Sequence, residues 1–296
     1  MDNAPYCASL NPDFSETVAY NNPLFPAYIR HAFLSSYPDY SAVSHWHKDL
    51  EFIIINQGSM TYNVNGELVE LAEGNGIMVN GRQLHYGFSK EHTECEFTCI
   101  LLSPALLSGN EWFYQNYIEP VTENPLYPYL HLAGAPWKIS VLENLKQLAQ
   151  SASPQRELPY FLLLEKFVSI MDILYNNLDT ENYNTAKESH DLTSLRNMVT
   201  YIEEHYSRRM TLEEIASAGA CCKSKCSSLF KKYLRETPIA YIAKLRLQKS
   251  LSTLLNSDKS ITDIAYEHGF CGASYYCETF QKYYRTSPLQ YRKKQT

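Results

Sequence analysis

At 296 residues the chain is long for one hydrophobic core, so two domains are expected. A composition of 45% hydrophobic and 20% charged residues argues against global disorder, and no apolar run approaches the ~18–20 residues that a membrane span needs. The net charge of −6 conceals a split: residues 1–190 hold 9 Lys and Arg against 22 Asp and Glu, whereas residues 191–296 hold 17 against 10, a net of +7 that points to a polyanion partner for the second part alone.

The start of the chain, Met1-Asp2-Asn3-Ala4-Pro5, has neither the basic residues nor the apolar stretch of a signal peptide. The 8 cysteines form no CxxC pair, so neither a disulfide framework nor a Cys-rich zinc site is expected, and the cytoplasm is the expected location.

The front of the chain reads as β structure. A strand-like stretch runs from His45 to Asn56 and stops at Gly58. Met60 to Val64 and Leu68 to Leu71 flank Asn65-Gly66, a pair that supplies the positive φ angles of a type I′ hairpin turn. Gly74 and Gly76 make a corner before a short strand from Ile77 to Asn80, and Phe97 to Leu102 is another apolar strand. Short strands with frequent turns predict an antiparallel barrel or sandwich.

Composition shifts near Pro104. Trp137 to Ala149 and Pro159 to Leu178 carry apolar residues at helical spacing, and in the second Leu162, Phe167, Ile170, Leu174 and Leu178 share a broad face. Its apolar surface exceeds what a lone surface helix needs, so self-association through this helix, at residues such as Leu163 and Ile170, is expected. Asp179 to Asp191 is polar, lacks apolar periodicity and reads as a linker.

The remainder is helical and repeats itself. Thr211-Leu-Glu-Glu-Ile-Ala matches Ser260-Ile-Thr-Asp-Ile-Ala at an offset of 49, and Phe230, Lys232, Tyr233, Pro238 and Tyr241 match Phe280, Lys282, Tyr283, Pro288 and Tyr291 at an offset of 50. Thr211 with Glu214 makes a capping box, and Ser260 with Asp263 a weaker one. Each copy is a capped short helix, a small-residue turn and a second helix: a helix-turn-helix unit. In the first, Cys226, Leu229, Phe230 and Tyr233 follow core spacing, which leaves Ser224, Lys225, Ser227, Ser228, Lys231 and Lys232 outward. Small polar side chains backed by lysines suit a helix that enters a major groove. In the second, a helix from about Gly272 to Tyr284 buries Tyr276 and Phe280 and leaves Ala273, Ser274, Cys277, Glu278 and Lys282 outward. Cys222, Cys226, Cys271 and Cys277 have the wrong spacing for a metal site and read as small packing residues.

Residues 192–294 resemble the DNA-binding domain of the AraC/XylS family of bacterial transcription regulators. The match rests on Gly269-Phe270, Ser274-Tyr275-Tyr276, Phe280, Lys282, Tyr283, Pro288 and Tyr291-Arg292. The resemblance implies two helix-turn-helix motifs joined by a long helix, here about Ile239 to Leu255, that place two reading helices in successive major grooves. One departure stands out. Family members often carry Arg where this chain has Glu278, which can accept from cytosine but is repelled by phosphate, so the first unit is expected to dominate specificity.

In the front domain, His45-Trp46-His47, Glu51, Gly58, Gly81 and His85 resemble the two short motifs of cupin barrels. In metal-dependent cupins the corresponding three His and the Glu are ligands, and such a set would suit Fe, Mn, Ni or Zn. The pattern is incomplete: Asp39 stands where the first motif Gly would be, and the proline near Gly81 is missing. Regulators of this family mostly use the barrel as a metal-free effector pocket. His45, His47, Glu51 and His85 are therefore taken as effector-pocket residues with no metal or cofactor. A bound metal and a purely structural His cluster remain alternatives. Tyr62, Tyr86, Phe88 and Phe97 could stack on a sugar or simply form core.

The expected architecture is α+β and multidomain. It comprises a cupin-like antiparallel β-barrel over residues 1–107, a helical dimerisation segment over 108–180, a linker over 181–190 and an all-α double helix-turn-helix domain over 191–296. The resemblance implies a transcription regulator, an activator rather than a repressor, controlled by a small molecule such as a sugar. Its partners would be double-stranded DNA, RNA polymerase and a second copy of the chain, with no membrane. The other readings are a metal-dependent cupin enzyme, an oxygenase or sugar isomerase using His45, His47, Glu51 and His85, with a DNA-binding appendage, and a barrel that serves only to dimerise.

Overall fold

The computed structural model describes residues 15–152, 158–181 and 190–295. The described residues fall into two compact units, residues 15–181 and 190–295. Most of the expected linker, residues 182–189, lies outside them.

The first unit is organised by one strand. β1 (Ala27–Phe33) is followed by β2 (Leu50–Val64), β3 (Glu67–Ala72), β4 (Gly76–Val79), β5 (His85–Phe88), β6 (Cys95–Leu102) and β7 (Tyr129–Leu132). The stretches read as separate strands ending near Asn56 and starting at Met60 are one 15-residue strand, β2. Its first half pairs with β4 and β6, in a sheet of order β1-β6-β2-β4-β7, and its second half pairs with β3 and β5, all antiparallel. A register shift between Ile55 and Gln57, at the start of the exposed stretch 56–59, lets the strand pass from one sheet to the other. The β2–β3 hairpin turns on Asn65 (φ 51°) and Gly66 (φ 90°), as its sequence requires. The fold is the expected cupin-like antiparallel one, but its sheet does not close into a continuous barrel.

Leu50 to Ile55 are buried on both faces of the sheet. Leu50, Phe52 and Ile54 meet a layer of helices, and Ile53 and Ile55 join Tyr62, Val79 and Phe97 in the interior. After β6 come the short helices α1 (Glu111–Phe113) and α2 (Glu119–Thr122) around a wide turn, then, beyond β7, α3 (Pro136–Ser151) and α4 (Tyr160–Asn177). Leu142 and Leu145 of α3 and Leu163, Phe167, Ile170 and Leu174 of α4 share one core with the sheet. This corrects the expectation for Leu163 and Ile170. Both are 0% exposed within a single chain, so the apolar excess of α4 serves its own sheet. The apolar side chains that α4 does present to solvent are Phe161 and Val168.

The second unit contains α5 (His190–His205), α6 (Leu212–Ala218), α7 (Lys223–Leu229), α8 (Pro238–Asn256), α9 (Ile261–Glu267), α10 (Ala273–Tyr284) and α11 (Pro288–Gln295). The capping boxes begin α6 and α9. Thr211 Oγ1 accepts from the Glu214 N–H at 3.2 Å while Glu214 accepts from the Thr211 N–H at 2.7 Å, and Ser260 Oγ accepts from the Asp263 N–H at 3.1 Å. Pro at the first turn and Thr237 as cap start α8, whose 19 residues span about 28 Å.

No helix of the described residues is long and apolar enough to cross a membrane. Truncating Phe167 to Ala should lower unfolding free energy by about 3–5 kcal/mol in a urea titration, because the ring is fully buried between sheet and helices. A loss below about 1 kcal/mol would mean that α4 does not close this core.

Candidate functional site

Three imidazoles and a carboxylate converge in the interior of the first unit. His45 and His47 precede β2, Glu51 lies on it, and His85 opens β5. His45 and His85 are held backbone to backbone, the His45 N–H to the His85 carbonyl at 3.1 Å and the reverse at 2.9 Å. Gly81 lets the two motif segments approach: a Cβ there would lie 2.7 Å from the Lys48 carbonyl oxygen. Asp39 adopts φ 56°, the left-handed region a glycine would occupy at that motif position.

One ligand atom from each of His45, His47, Glu51 and His85 lies within 4.8 Å of all the others. Glu51 Oε2 is 3.4 Å from both His47 Nε2 and His85 Nε2. Burial alone would raise the Glu51 carboxyl, but His85 and His47 together outweigh it and hold its pKa well below the usual carboxylate range. Burial opposes protonation of His47, yet its bond to Glu51 prevails and raises its pKa. His45 is pushed down to about 3, by burial first and then by His85.

Every one of these rings is oriented by a backbone carbonyl at Nδ1: Val43 for His45 (2.8 Å), Asp49 for His47 (3.1 Å) and Gln83 for His85 (2.7 Å). A carbonyl can only accept, so each Nδ1 donates to the backbone and Nε2 is the ring atom left to face the cluster. Buried His85 Nε2, although 3.4 Å from Glu51, makes no hydrogen bond of acceptable geometry. Carbonyl-anchored imidazoles converging on a carboxylate form a donor set that fits a divalent transition metal.

The sequence reading missed several neighbours of this cluster. The Tyr62 hydroxyl donates to Glu51 Oε1, and Cys99 Sγ lies 3.9 Å from Glu51 Oε2. Glu16, from the segment before β1, places Oε2 3.3 Å from His45 Nε2, and burial pushes its carboxyl up to about 7. Glu16 stands in no motif or periodic stretch. Cys99 had only a weak signal, since it lies directly across the β2–β6 ladder from inward-facing Ile53. Of the aromatics, Tyr62 and Phe97 belong to the interior core, whereas Tyr86 and Phe88 alternate with His85 along β5 and so face away from the cluster.

In the second unit the two second helices bury the anticipated faces: Cys226, Leu229, Phe230 and Tyr233 in the first, Tyr276 and Phe280 in the second. Ser224, Lys225, Ser228, Lys231 and Lys232 are exposed and Ser227 is half-buried; Ser274, Glu278 and Lys282 are exposed, with Ala273 and Cys277 half-buried. The first of these helices is not uniform. After Leu229 it widens into a π turn, Phe230–Leu234, so Lys231 and Lys232 sit on that turn rather than on the regular helix that carries the serines. Lys225 pairs with Asp191 of α5 at 2.8 Å, and Lys232 lies 3.9 Å from the same carboxylate. Cys222 and Cys271 are exposed, which corrects their assignment as packing residues; they stand just outside the two second helices.

Conserved geometry between the copies extends to their anchors. Arg246 of α8 donates to the carbonyls of Tyr206 (2.7 Å) and Arg208 (2.8 Å), ahead of α6. Arg292 of α11 donates to those of Leu254 (2.8 Å) and Lys259 (2.9 Å), ahead of α9. Each helix-turn-helix pair is thus fastened to the helix that follows it.

Paired helix-turn-helix units that follow a cupin-like sheet in the sequence define a DNA-binding transcription regulator, and comparison with known proteins agrees. The sequence profile of a helix-turn-helix domain matches residues 215–294, and that of a cupin domain residues 25–101. The HTH-type transcriptional regulator YdeC of Bacillus subtilis (strain 168) is 30% identical over 253 residues, covering 84% of this chain and 85% of the relative. The HTH-type transcriptional activator RhaS of Mannheimia succiniciproducens is 25% identical over 84% of this chain and 88% of its own length. Among solved structures, an apo ToxT variant from Vibrio cholerae aligns with 94% of this chain and 100% of its own at 15% identity, with a TM-score of 0.45. The chain belongs to the AraC family of helix-turn-helix transcription regulators.

The turn of the second unit fixes how α10 is presented. Gly269 has φ +79°, and a Cβ there would sit 2.5 Å from the Tyr206 carbonyl oxygen. Gly269→Ala should therefore destabilise the protein by about 1–3 kcal/mol and weaken DNA binding, measured by thermal melting and fluorescence anisotropy. Unchanged melting would show that this contact does not hold the turn.

Proposed function

We propose that this regulator reads DNA with α7 and its π turn and with α10, through Ser224, Lys225, Ser227, Ser228, Lys231 and Lys232 on the first and Ala273, Ser274, Cys277, Glu278 and Lys282 on the second. The observation that carries this reading is the division of both helices into one buried apolar face and one open polar face, on the part of the chain with the positive charge balance. Serines near the start of α7 are short enough for a close approach to base edges, while the lysines on the π turn match phosphates. Because Lys225 and Lys232 share Asp191, DNA phosphates compete with an internal carboxylate for them.

The sensor unit takes a small polar effector at His45, His47, Glu51 and His85, and a sugar, rich in hydroxyls that both donate and accept, suits that mixture of groups. Effector binding changes DNA engagement by favouring one state of a cytoplasmic homodimer, in the manner of linked equilibria. RhaS is an activator by name, and the same role is proposed here, with RNA polymerase as partner. The boundaries proposed for these functions are residues 1–107, 108–180, 181–190 and 191–296.

The test is DNA binding by the full chain. Lys232→Ala should weaken binding to all sequences alike and reduce the salt slope by about one charge. Glu278→Arg should tighten binding with little selectivity if the carboxylate faces phosphate, and should cost affinity for the natural operator alone if it reads cytosine. Wild-type binding by both variants would remove α7 and α10 from the interface.

A further inference from the structure

We propose that Asp191 is a positioning residue of the DNA-reading surface: it holds Lys225 and Lys232 as an internal stand-in for phosphate, and so lowers the affinity of the first helix-turn-helix unit for DNA of any sequence. The inference rests on the reading of α7 and its π turn as DNA-contacting elements, and it names what limits their grip.

The first support is the pairing of charges around α7. Lys225 Nζ lies 2.8 Å from Asp191 Oδ1, the length of a charge-assisted hydrogen bond, and Lys232 Nζ lies 3.9 Å from Asp191 Oδ2. Each oxygen of one carboxylate thus faces a different lysine, one on the regular helix and one on the π turn. A DNA phosphate would present its oxygens to the same two ammonium groups, so Asp191 stands in competition with the backbone. Lys223 is paired as well, with Glu213 of α6. Of the lysines from 223 to 232, Lys231 alone has no carboxylate partner among the described residues. The basic balance of this part of the chain is therefore cancelled locally, beside the serines.

The second support is that the carboxylate is held in place. Asp191 lies in the first turn of α5, where the positive end of the helix favours an acid. Leu195, Met198 and Ile202 continue its face of the helix and are buried. That face is pressed onto the turn between α6 and α7. A Cβ on Gly219 would lie 2.6 Å from Met198 Cγ and 2.8 Å from the Ser194 carbonyl oxygen, and Cys221 Sγ is 3.9 Å from Met198 Sδ. So tight a seat keeps the first turn of α5 within reach of the lysines.

The third support is the contrast with the second copy. α8 precedes α9 and α10 as α5 precedes α6 and α7, and the offset of 49 puts Ala240 where α5 has Asp191. Lys282, the counterpart of Lys232, keeps the aromatic neighbour: its ammonium is 6.0 Å from the Tyr283 ring centroid, as that of Lys232 is 4.7 Å from Tyr233. It has no carboxylate partner among the described residues. The scaffold therefore does not require Asp191. With side chains 29% and 48% exposed, the Asp191–Lys225 pair adds little to stability, yet a phosphate must displace it.

The test is the binding of a fluorescein-labelled duplex of random sequence to the full chain, followed by anisotropy. Asp191→Asn should bind about 3–10-fold more tightly at low salt, because two lysines are released and a carboxylate that repels phosphate is removed. Its salt slope, read between about 50 and 200 mM, should steepen by about one charge. Glu204→Gln removes an equal charge from an exposed position about 20 Å farther along α5, and should change affinity less than about 2-fold. A Lys225→Ala/Lys232→Ala variant should bind more weakly, and adding Asp191→Asn to it should have no further effect. Damage to α5 would weaken binding, so tightening is a readout that a merely structural role would not produce. Wild-type or weaker binding by Asp191→Asn, equal tightening by Glu204→Gln, or tightening that persists without the two lysines would each overturn the role of Asp191. If the double lysine variant binds as the wild type does, the reading of α7 falls and the role of Asp191 with it. If that variant binds more weakly while Asp191→Asn binds no more tightly, the role of Asp191 alone falls.

Discussion

Strand β2 is buried on both faces from Leu50 to Ile55, and the layout of the sensor unit follows from that demand. A strand in this position needs apolar cover above and below and partners along both edges. Helices α3 and α4 supply the cover on one side, and the interior core supplies it on the other. β4 and β6 satisfy its edges before the irregularity at Ile55–Gln57, and β3 and β5 satisfy them after it. The helices after β6 are thus part of the fold of the sheet. Without Leu163, Phe167 and Ile170, the outer side of Phe52 and Ile54 would face water.

The same strand carries one charged residue into that interior. An isolated carboxylate there would be too costly to keep ionised, and Glu51 is compensated by His47, His85 and the hydroxyl of Tyr62. The compensation comes from distant parts of the chain: His47 from the approach to β2, Tyr62 from its far half and His85 from β5. Carbonyls of Asp49 and Gln83 then fix the two rings. Polar groups in this arrangement provide both a chemical site and a stitch between the two sheets, and any ligand must replace interactions that are already made.

In the second unit a repeated plan does comparable work with helices. Each short leading helix is started by a hydroxyl cap, each second helix ends on a left-handed arginine, Arg235 or Arg285, and each pair is fastened by an arginine of the following helix. The copies are not identical. Tyr241 and Tyr291 are equivalent by spacing, yet the anchors are Arg246 and Arg292, so the anchoring arginine lies one turn farther along in the first copy. The π turn in the first reading helix and the continuous α10 in the second add to the asymmetry, as does a carboxylate, Glu278, where the first copy has Ser228.

The chain alone determined the parts of this protein that depend on local rules. Asn65-Gly66 can hardly avoid a hairpin turn, Thr211 with Glu214 caps a helix whatever surrounds it, and Cys226, Leu229, Phe230 and Tyr233 define a buried helix face by period. The paired units were legible for that reason, and their repetition made the family resemblance specific. His45, His47, Glu51 and His85 were legible from spacing, although His45 and His47 lie before the strand, which begins at Leu50 rather than at His45. Tertiary structure decided what depended on partners. Strands β1, β5 and β7 are short or lack a distinctive pattern, and they exist because β6, β2 and β4 offer them edges. The apolar excess of α4 could have met a second chain or its own sheet; periodicity reports that a face is buried but not against what, and Leu163 and Ile170 proved to be core. Glu16 had no local signature at all. Only the alignment of its segment with Trp46 carries its carboxylate to His45, a contact that joins residues 29 positions apart in a way no sequence period encodes.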